Sequence, residues 1–366
     1  MLRKILKRVK ETKLYPLLRK VYIPKSIKRK LFRFQGEFEV KTKDGKSFKL
    51  FNPPFHLETE IYWQGIDAFD WEIETRRVWN LLSTHSKVIF DIGANTGIFA
   101  VMSKAYNSNA KVYAFEPQPN IFKVLSKNNQ INNFDISCEN VALSKESGQM
   151  PFFNYGNNAF SENSTAGSLN PNWRTKNQKS ILVEVETLDS FIVRNEIDRI
   201  DLMKIDVESF ELEVLQGYIE NLNLHKPFVV IEIVERELGV ELEEILDDEN
   251  YLYFNIDETK GLTPPTPIYS FHAGKYLENT RSLIWFAVRD GQYDLTDKER
   301  AEGLALLQKE VTAACQCQND EMYPLDKQEK PSCDDVIFKT EDERIIAYIN
   351  TIKAVEEKAA EYEIVK

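Results

Sequence analysis

The sequence predicts an α/β protein built on a doubly wound, mostly parallel sheet. Three observations carry that prediction. Short apolar runs alternate with amphipathic segments from about residue 88 to 288. The run Val88-Ile89-Phe90 ends in Asp91, and the turn Gly93-Ala94-Asn95-Thr96-Gly97 then opens an amphipathic stretch, Ile98 to Tyr106. A second apolar run ends at Glu116, 25 residues after Asp91. This is the pattern of a buried strand that delivers a nucleotide-like ligand onto a tight turn and a helix N-terminus.

Taken in chain order, residues 1–33 carry thirteen Lys or Arg against the single acid Glu11. Leu2, Ile5, Leu6 and Val9, then Leu14, Leu17, Leu18 and Val21, recur there at helical spacing. Such a basic helical arm can lie on an anionic membrane surface or pack on its own domain or a partner subunit. Phe38 to Phe51 alternates around Asp44-Gly45, a hairpin signal, and Asn52-Pro53-Pro54-Phe55 breaks regular structure. Residues 69–82 read as a helix. Strands are expected at 88–92, 111–115, 136–142, 181–186, 200–205, 228–233, 251–256 and 282–288. Helices are expected between them at 98–106, 119–131, 188–195, 210–221 and 237–247. Residues 154–180, rich in Asn, Ser and Gly, read as a polar insertion. From about 291 the chain is acidic, with ten basic and eighteen acidic residues and two capping boxes, Thr296-x-x-Glu299 and Thr340-x-x-Glu343. The second box opens a helix whose seam (Ile345, Tyr348, Ile352, Val355, Ala359, Tyr362) would dock on its own domain or form an oligomer contact. The expected division is therefore an arm and hairpin over 1–55, a catalytic domain over 56–290, and a helical C-terminal extension over 291–366.

Composition narrows the function classes. The 366 residues are 42% hydrophobic and 29% charged, as in an ordinary globular protein. No run approaches the ~20 apolar residues of a membrane span. The N-terminus lacks an apolar signal core, and Cys138, Cys315, Cys317 and Cys333 follow no disulfide framework, which predicts a cytoplasmic protein. Cys315 and Cys317 have no further metal-ligand pair nearby. The net charge of −11 splits into +12 on residues 1–33 and −23 on the remainder. A body that acidic is a poor match for nucleic-acid phosphates.

The cofactor can be narrowed further. Nicotinamide-binding turns read Gly-x-Gly-x-x-Gly, and no third glycine stands in register here. Asp91 would repel a pyrophosphate and attract an ammonium. Glu116 can accept hydrogen bonds from ribose hydroxyls. Together these favour S-adenosylmethionine, which carries a sulfonium and no phosphate.

Five motifs now carry a resemblance. Asp91-Ile-Gly-Ala-Asn-Thr-Gly97, Phe115-Glu116-Pro117, Asn140-Val-Ala-Leu-Ser144, Glu186-Thr-Leu-Asp189 and Lys204-Ile-Asp-Val-Glu208 resemble, in order, the motifs of FkbM-type methyltransferases from about residue 60 to 290. The resemblance implies a class I (Rossmann-like) methyltransferase fold with a seven-stranded sheet. It also implies S-adenosylmethionine as donor and O-methylation, typically of sugars or polyketide-like hydroxyls. One departure stands out: Ser209 occupies the place where the family usually has glycine.

On this reading the cofactor residues are Asp91, Gly93, Ala94, Asn95, Gly97 and Glu116, with Asn140 and Ala142 flanking the adenine. Carboxylates at the next two strand ends, Asp206 and Glu208, then Glu232 and Glu235, converge on the rim where a methyl acceptor would sit. Asp206 or Glu208 would act as general base, would hold a divalent metal, or would only orient the cofactor. No dedicated metal ligands are assigned. His272 is a further candidate base. Tyr62, Trp63, Phe69 and Trp71, with Glu72 and Glu74, would contact a sugar face or pack as a lid. The expected function is O-methylation of a sugar or glycan-type acceptor. Two alternatives are a non-catalytic adaptor that keeps the fold, and a nucleic-acid N-methyltransferase using Asn52-Pro53-Pro54-Phe55. The position of that tetrapeptide, under forty residues before Asp91, and the acidic body both disfavour the second.

Overall fold

The computed structural model describes residues 34–287, apart from 70, 156–166, 173–177, 234–235, 247–250, 258–260 and 263–279. The basic arm, His272, Glu235, the Cys315/Cys317 pair and the C-terminal extension lie outside the described residues.

The chain opens with a hairpin, β1 (Gly36–Lys41) and β2 (Ser47–Asn52), followed by α1 (His56–Gln64) and α2 (Ile73–His85). Next come β3 (Val88–Ile92), α3 (Ile98–Tyr106), β4 (Lys111–Phe115), α4 (Pro119–Asn132), β5 (Ser137–Glu139) and β6 (Ala142–Leu143). After β7 (Gly148–Tyr155), β8 (Gly167–Ser168) and β9 (Gln178–Glu186), alternation resumes with α5 (Leu188–Arg194), β10 (Leu202–Ile205), α6 (Glu211–Gln216) and α7 (Ile219–His225). The described chain closes with β11 (Phe228–Glu232), α8 (Arg236–Leu246), β12 (Tyr251–Asp257), β13 (Gly261–Leu262) and β14 (Thr280–Ala287).

The central sheet has the order β13-β12-β14-β11-β10-β3-β4-β5. The run from β11 to β5 is parallel, and β14 is antiparallel to both its neighbours. Among the described residues the sheet has eight strands rather than the expected seven, because the two-residue β13 adds to its outer edge. Strand order reverses between β3 and β10, the switch point where a doubly wound sheet leaves a crevice beyond its strand ends. Both faces are covered, as parallel strands require. Val88, Phe90 and Ile92 turn toward one core with Met203, Ile205, Val229 and Ile231, while Ile89, Leu202 and Val230 turn toward the other. The hairpin residues Phe38, Val40, Phe48 and Leu50 share that second core with Trp79 and Met102. The hairpin thus packs into the same core as the central sheet.

Two expectations are corrected here. Residues 136–142 are not one strand: β5 pairs with β4, but Ala142 pairs with β9. The break falls at Asn140, whose side-chain amide donates to the Glu116 and Pro117 carbonyls. Residues 181–186, expected in the central sheet, belong instead to a separate four-stranded sheet, β6-β9-β7-β8. Its strand β7 carries a proline and exposed polar residues, which hide the period-2 signal.

Candidate active site

A cavity of about 500 Å³ opens over the carboxyl ends of β3, β4, β10 and β11. One half of its wall is the turn after β3. Gly93 has φ +77°, and a Cβ added there would lie 1.9 Å from the Asp206 carbonyl oxygen. The glycine therefore lets the β3 and β10 turns touch backbone to backbone. Gly97 has φ +84° and meets the Leu125 side chain of α4, so its lack of a side chain serves helix packing. Gly93, Ala94, Asn95 and Thr96 line the cavity, whereas Gly97 does not.

Asp91 lies beneath the turn. Its carboxyl group is buried and accepts the Ala100 N–H at 2.9 Å, in the first turn of α3. Burial pushes it up to about 6 against the pull of Lys204. It braces the turn from below and is absent from the cavity wall. Asn140 likewise stays outside and fixes the end of β4 through its two carbonyl contacts.

Glu116 does face the cavity. Its carboxylate accepts the Gln118 N–H at 2.7 Å and the Asn95 N–H, and burial raises it to about 8. Val141, Ala142, Leu143, Phe152, Leu169 and Phe210 form an apolar slot beside it. Phe152 comes from strand β7 of the second sheet and Leu169 directly follows its strand β8, a contribution that no local motif announced.

The opposite half of the wall is acidic and aromatic. Trp71, Glu72, Asp206, Glu208 and Glu232 line it, with Lys204 beneath. Lys204 Nζ lies 2.6 Å from Asp206 Oδ2 and 4.6 Å from the centre of the Phe99 ring. Burial, with the Asp206, Glu72 and Glu208 carboxyl groups nearby, drives Glu232 well above the usual range. Of the expected aromatic cluster, only Trp71 reaches the cavity; Tyr62, Trp63 and Phe69 are core. Arg76 holds the Trp71–Glu72 segment by donating to the carbonyls of Ile66, Phe69, Trp71 and Glu72.

Three residues at this rim have left-handed backbones without being glycine: Glu72 (φ +44°), Glu208 (φ +58°) and Ser209 (φ +67°). Ser209 accounts for the family's glycine, since αL costs an ordinary residue about 1–2 kcal/mol. Strain of this kind concentrates at functional sites. Ser168 Oγ donates to the Glu208 carbonyl at 2.6 Å and Asn170 Nδ2 to the Ser209 carbonyl at 3.1 Å, so the second sheet clamps the strained turn.

Asn52-Pro53-Pro54-Phe55 has a structural explanation. Asn52 is fully buried; its amide donates to the Phe34 carbonyl and Thr59 Oγ1, and its oxygen accepts the Phe55 N–H. The tetrapeptide fastens the start of α1 and does not itself line the cavity.

The residues fit S-adenosylmethionine. Lys204 is the only Lys or Arg among the described lining residues, and Asp206 occupies it, so nothing there favours a pyrophosphate. Glu116 would accept the ribose hydroxyls, the apolar slot would hold the adenine, and the acidic half suits a cationic methionine end. When bound, this cofactor supplies an electrophilic methyl group on a positively charged sulfur. Among the described residues no group of three His, Cys, Asp or Glu side chains is disposed to hold a metal. No described helix is long and apolar enough to cross a membrane.

Fold and site define an S-adenosylmethionine-dependent methyltransferase of the α/β class. Residues 91–253 match the model of the methyltransferase FkbM domain, and the chain carries a domain of the FkbM-type methyltransferase family. Methyltransferase sdnD of Sordaria araneosa is 29% identical over 188 residues, covering 44% of this chain and 73% of that protein. Hexuronic acid methyltransferase AglP of Haloferax volcanii is 26% identical over 178 residues, covering 45% and 69%. The crystal structure of methyltransferase FkbM from Methylobacillus flagellatus aligns at 18% identity and a TM-score of 0.36, over 55% of this chain and 44% of that one.

Proposed function

We propose that this chain transfers the methyl group of S-adenosylmethionine to a hydroxyl of a sugar or glycan-type acceptor. The observation that carries this reading is a single cavity lined both by the turn from Gly93 to Thr96 with Glu116, which we assign to the donor, and by Trp71 with the carboxyl groups of Glu72, Asp206, Glu208 and Glu232, which we assign to the acceptor. An aromatic face beside hydrogen-bonding carboxyl groups suits a polyhydroxylated ring. A relative that acts on hexuronic acid supports the same acceptor class. Methyl transfer to a hydroxyl also needs a group that takes its proton, and the acceptor half supplies carboxylates for that step.

The test is turnover with a panel of sugars and glycosides, following S-adenosylhomocysteine release and locating the new methyl by NMR, beside calorimetry of S-adenosylhomocysteine binding. O-methylated product, with an Asp206→Asn loss of about 100-fold or more in kcat, is expected. N-methylated product would refute the hydroxyl acceptor. Binding without transfer to any acceptor would favour a non-catalytic adaptor. The basic residues 1–33 are proposed to touch anionic membrane; equal liposome flotation with and without them would end that idea.

A further inference from the structure

Glu232 is the last residue of β11, an outermost parallel strand, and register decides its neighbour. Ile205 pairs with Ile231 across β10 and β11, so Asp206 and Glu232 are the next residues on adjacent parallel strands. Both carboxyl groups line the cavity, and the charge of each disfavours that of the other. Two carboxyl groups sharing one site hold one proton between them more readily than they ionise together. Lys204 decides which partner keeps the charge. Its ammonium lies 2.6 Å from Asp206 Oδ2 and over the Phe99 ring. Asp206 is thus held as the carboxylate and Glu232 as the acid. The other charged groups agree: Glu232 faces Glu208 from the turn after β10 and Glu72 from the start of α2, both of which favour its neutral form. Around Asp206 stand Asp91 and Glu211 as well as Lys204.

We propose that Asp206 and Glu232 work as a one-proton carboxyl pair that reads two neighbouring hydroxyl oxygens of the acceptor, so that the substrate class is a vicinal diol. The proposal rests on the methyltransferase reading above. On binding, the single O–H of protonated Glu232 is donated to one acceptor oxygen in place of Asp206. The adjacent hydroxyl donates to the charged side of the pair. As that second oxygen bonds to the methyl carbon, the carbon–sulfur bond breaks with its electron pair going to sulfur, and the hydroxyl proton passes to the pair. The pair then carries two protons and releases one to solvent. An isolated hydroxyl meets only half of this arrangement and leaves a buried polar group unmatched.

Two measurements on the full chain test this. The first needs no acceptor: the infrared difference spectrum of wild type minus Glu232→Gln at pH 7, with S-adenosylhomocysteine bound. A protonated-carboxyl band that shifts in D₂O is expected; its absence means Glu232 is ionised and overturns the proposal. The second compares a methyl hexopyranoside bearing a free diol with the analogue deoxygenated at the non-methylated position. Wild type should lose at least about tenfold in kcat/KM with the deoxy sugar, and Glu232→Gln, which keeps a donor, should retain that preference. Glu232→Ala should bring the two sugars within about threefold of each other. Equal use of both sugars by wild type, or an undiminished preference in Glu232→Ala, overturns it. If no sugar is methylated at all, the proposed function fails, while the infrared result still decides the state of the pair. Unchanged melting and cofactor affinity confirm that each variant is folded.

Discussion

Replacing Gly93 by alanine separates two costs that the turn after β3 imposes. The first is conformational: at φ +77° an L-residue pays about 1–2 kcal/mol. The second is steric. The new Cβ would lie 1.9 Å from the Asp206 carbonyl oxygen and 2.8 Å from its carbon. The approach to oxygen is about 1.5 Å inside ordinary contact, and the obstacle is backbone, which cannot swing aside as a side chain can. Forcing atoms into a packed site costs about 1–3 kcal/mol more. The sum is about 2–5 kcal/mol. Gly45, in the β1–β2 turn, is the internal control, because its φ is +86° and a Cβ there meets nothing within 4 Å. Gly45→Ala should therefore cost only the conformational part, about 1–2 kcal/mol. Urea unfolding of both variants gives the difference, expected at about 1–3 kcal/mol. Gly93→Ala should also lose turnover, since relief of the clash moves Asp206 away from Lys204 and Glu232. If Gly93→Ala were no less stable than Gly45→Ala and turned over normally, the close approach of the two strand ends would be refuted as the reason for this glycine.

Three further outcomes are expected. Ser209→Gly should stabilise the protein by about 0.5–1 kcal/mol in urea unfolding, because relief of an αL backbone outweighs the added freedom of the unfolded chain; a destabilised variant would mean the side chain makes a necessary contact. Asn52→Ala should cost about 2–3 kcal/mol by removing the acceptor of the buried Phe55 N–H and the donor to the Phe34 carbonyl and Thr59 Oγ1, read as a lower denaturation midpoint with an unchanged slope. Glu116 sits at about 8 in the folded protein against an ordinary 4.5, so its protonated form favours folding fully below pH 4.5 and that contribution is lost as pH rises through 8. The ligand-free protein should thus melt lower from pH 5 to 8, and Glu116→Gln should flatten that slope; an identical slope would place the carboxylate in water.

The strands and helices nearest the switch point were legible because their signals are local. Val88–Ile92, Lys111–Phe115 and Ile98–Tyr106 fall where hydrophobic periodicity and the glycine turn put them. Elsewhere local pattern misled. Helix α1 was missed because it buries Glu58, Thr59 and Glu60 together with Ile61, Tyr62 and Trp63, and so shows no clear apolar stripe. Residues 210–221 looked like one helix but break at Gly217 into α6 and α7. The second sheet was hidden because its strands pair across an intervening polar segment.

The site divides in the same way. By itself the sequence determined the glycine turn after β3 and the acids at the ends of β4, β10 and β11, because each is fixed by its position on a strand–turn unit. Only the tertiary structure decided that Asp91 and Gly97 support the turn from within, and that Trp71 and Glu72 close the rim. It also brought Phe152 and Leu169 across from another sheet and set Glu232 against Asp206. Those relations depend on strand order, register and backbone proximity between residues far apart in the chain. Periodicity records which face of an element is buried; it holds no record of which distant element buries it.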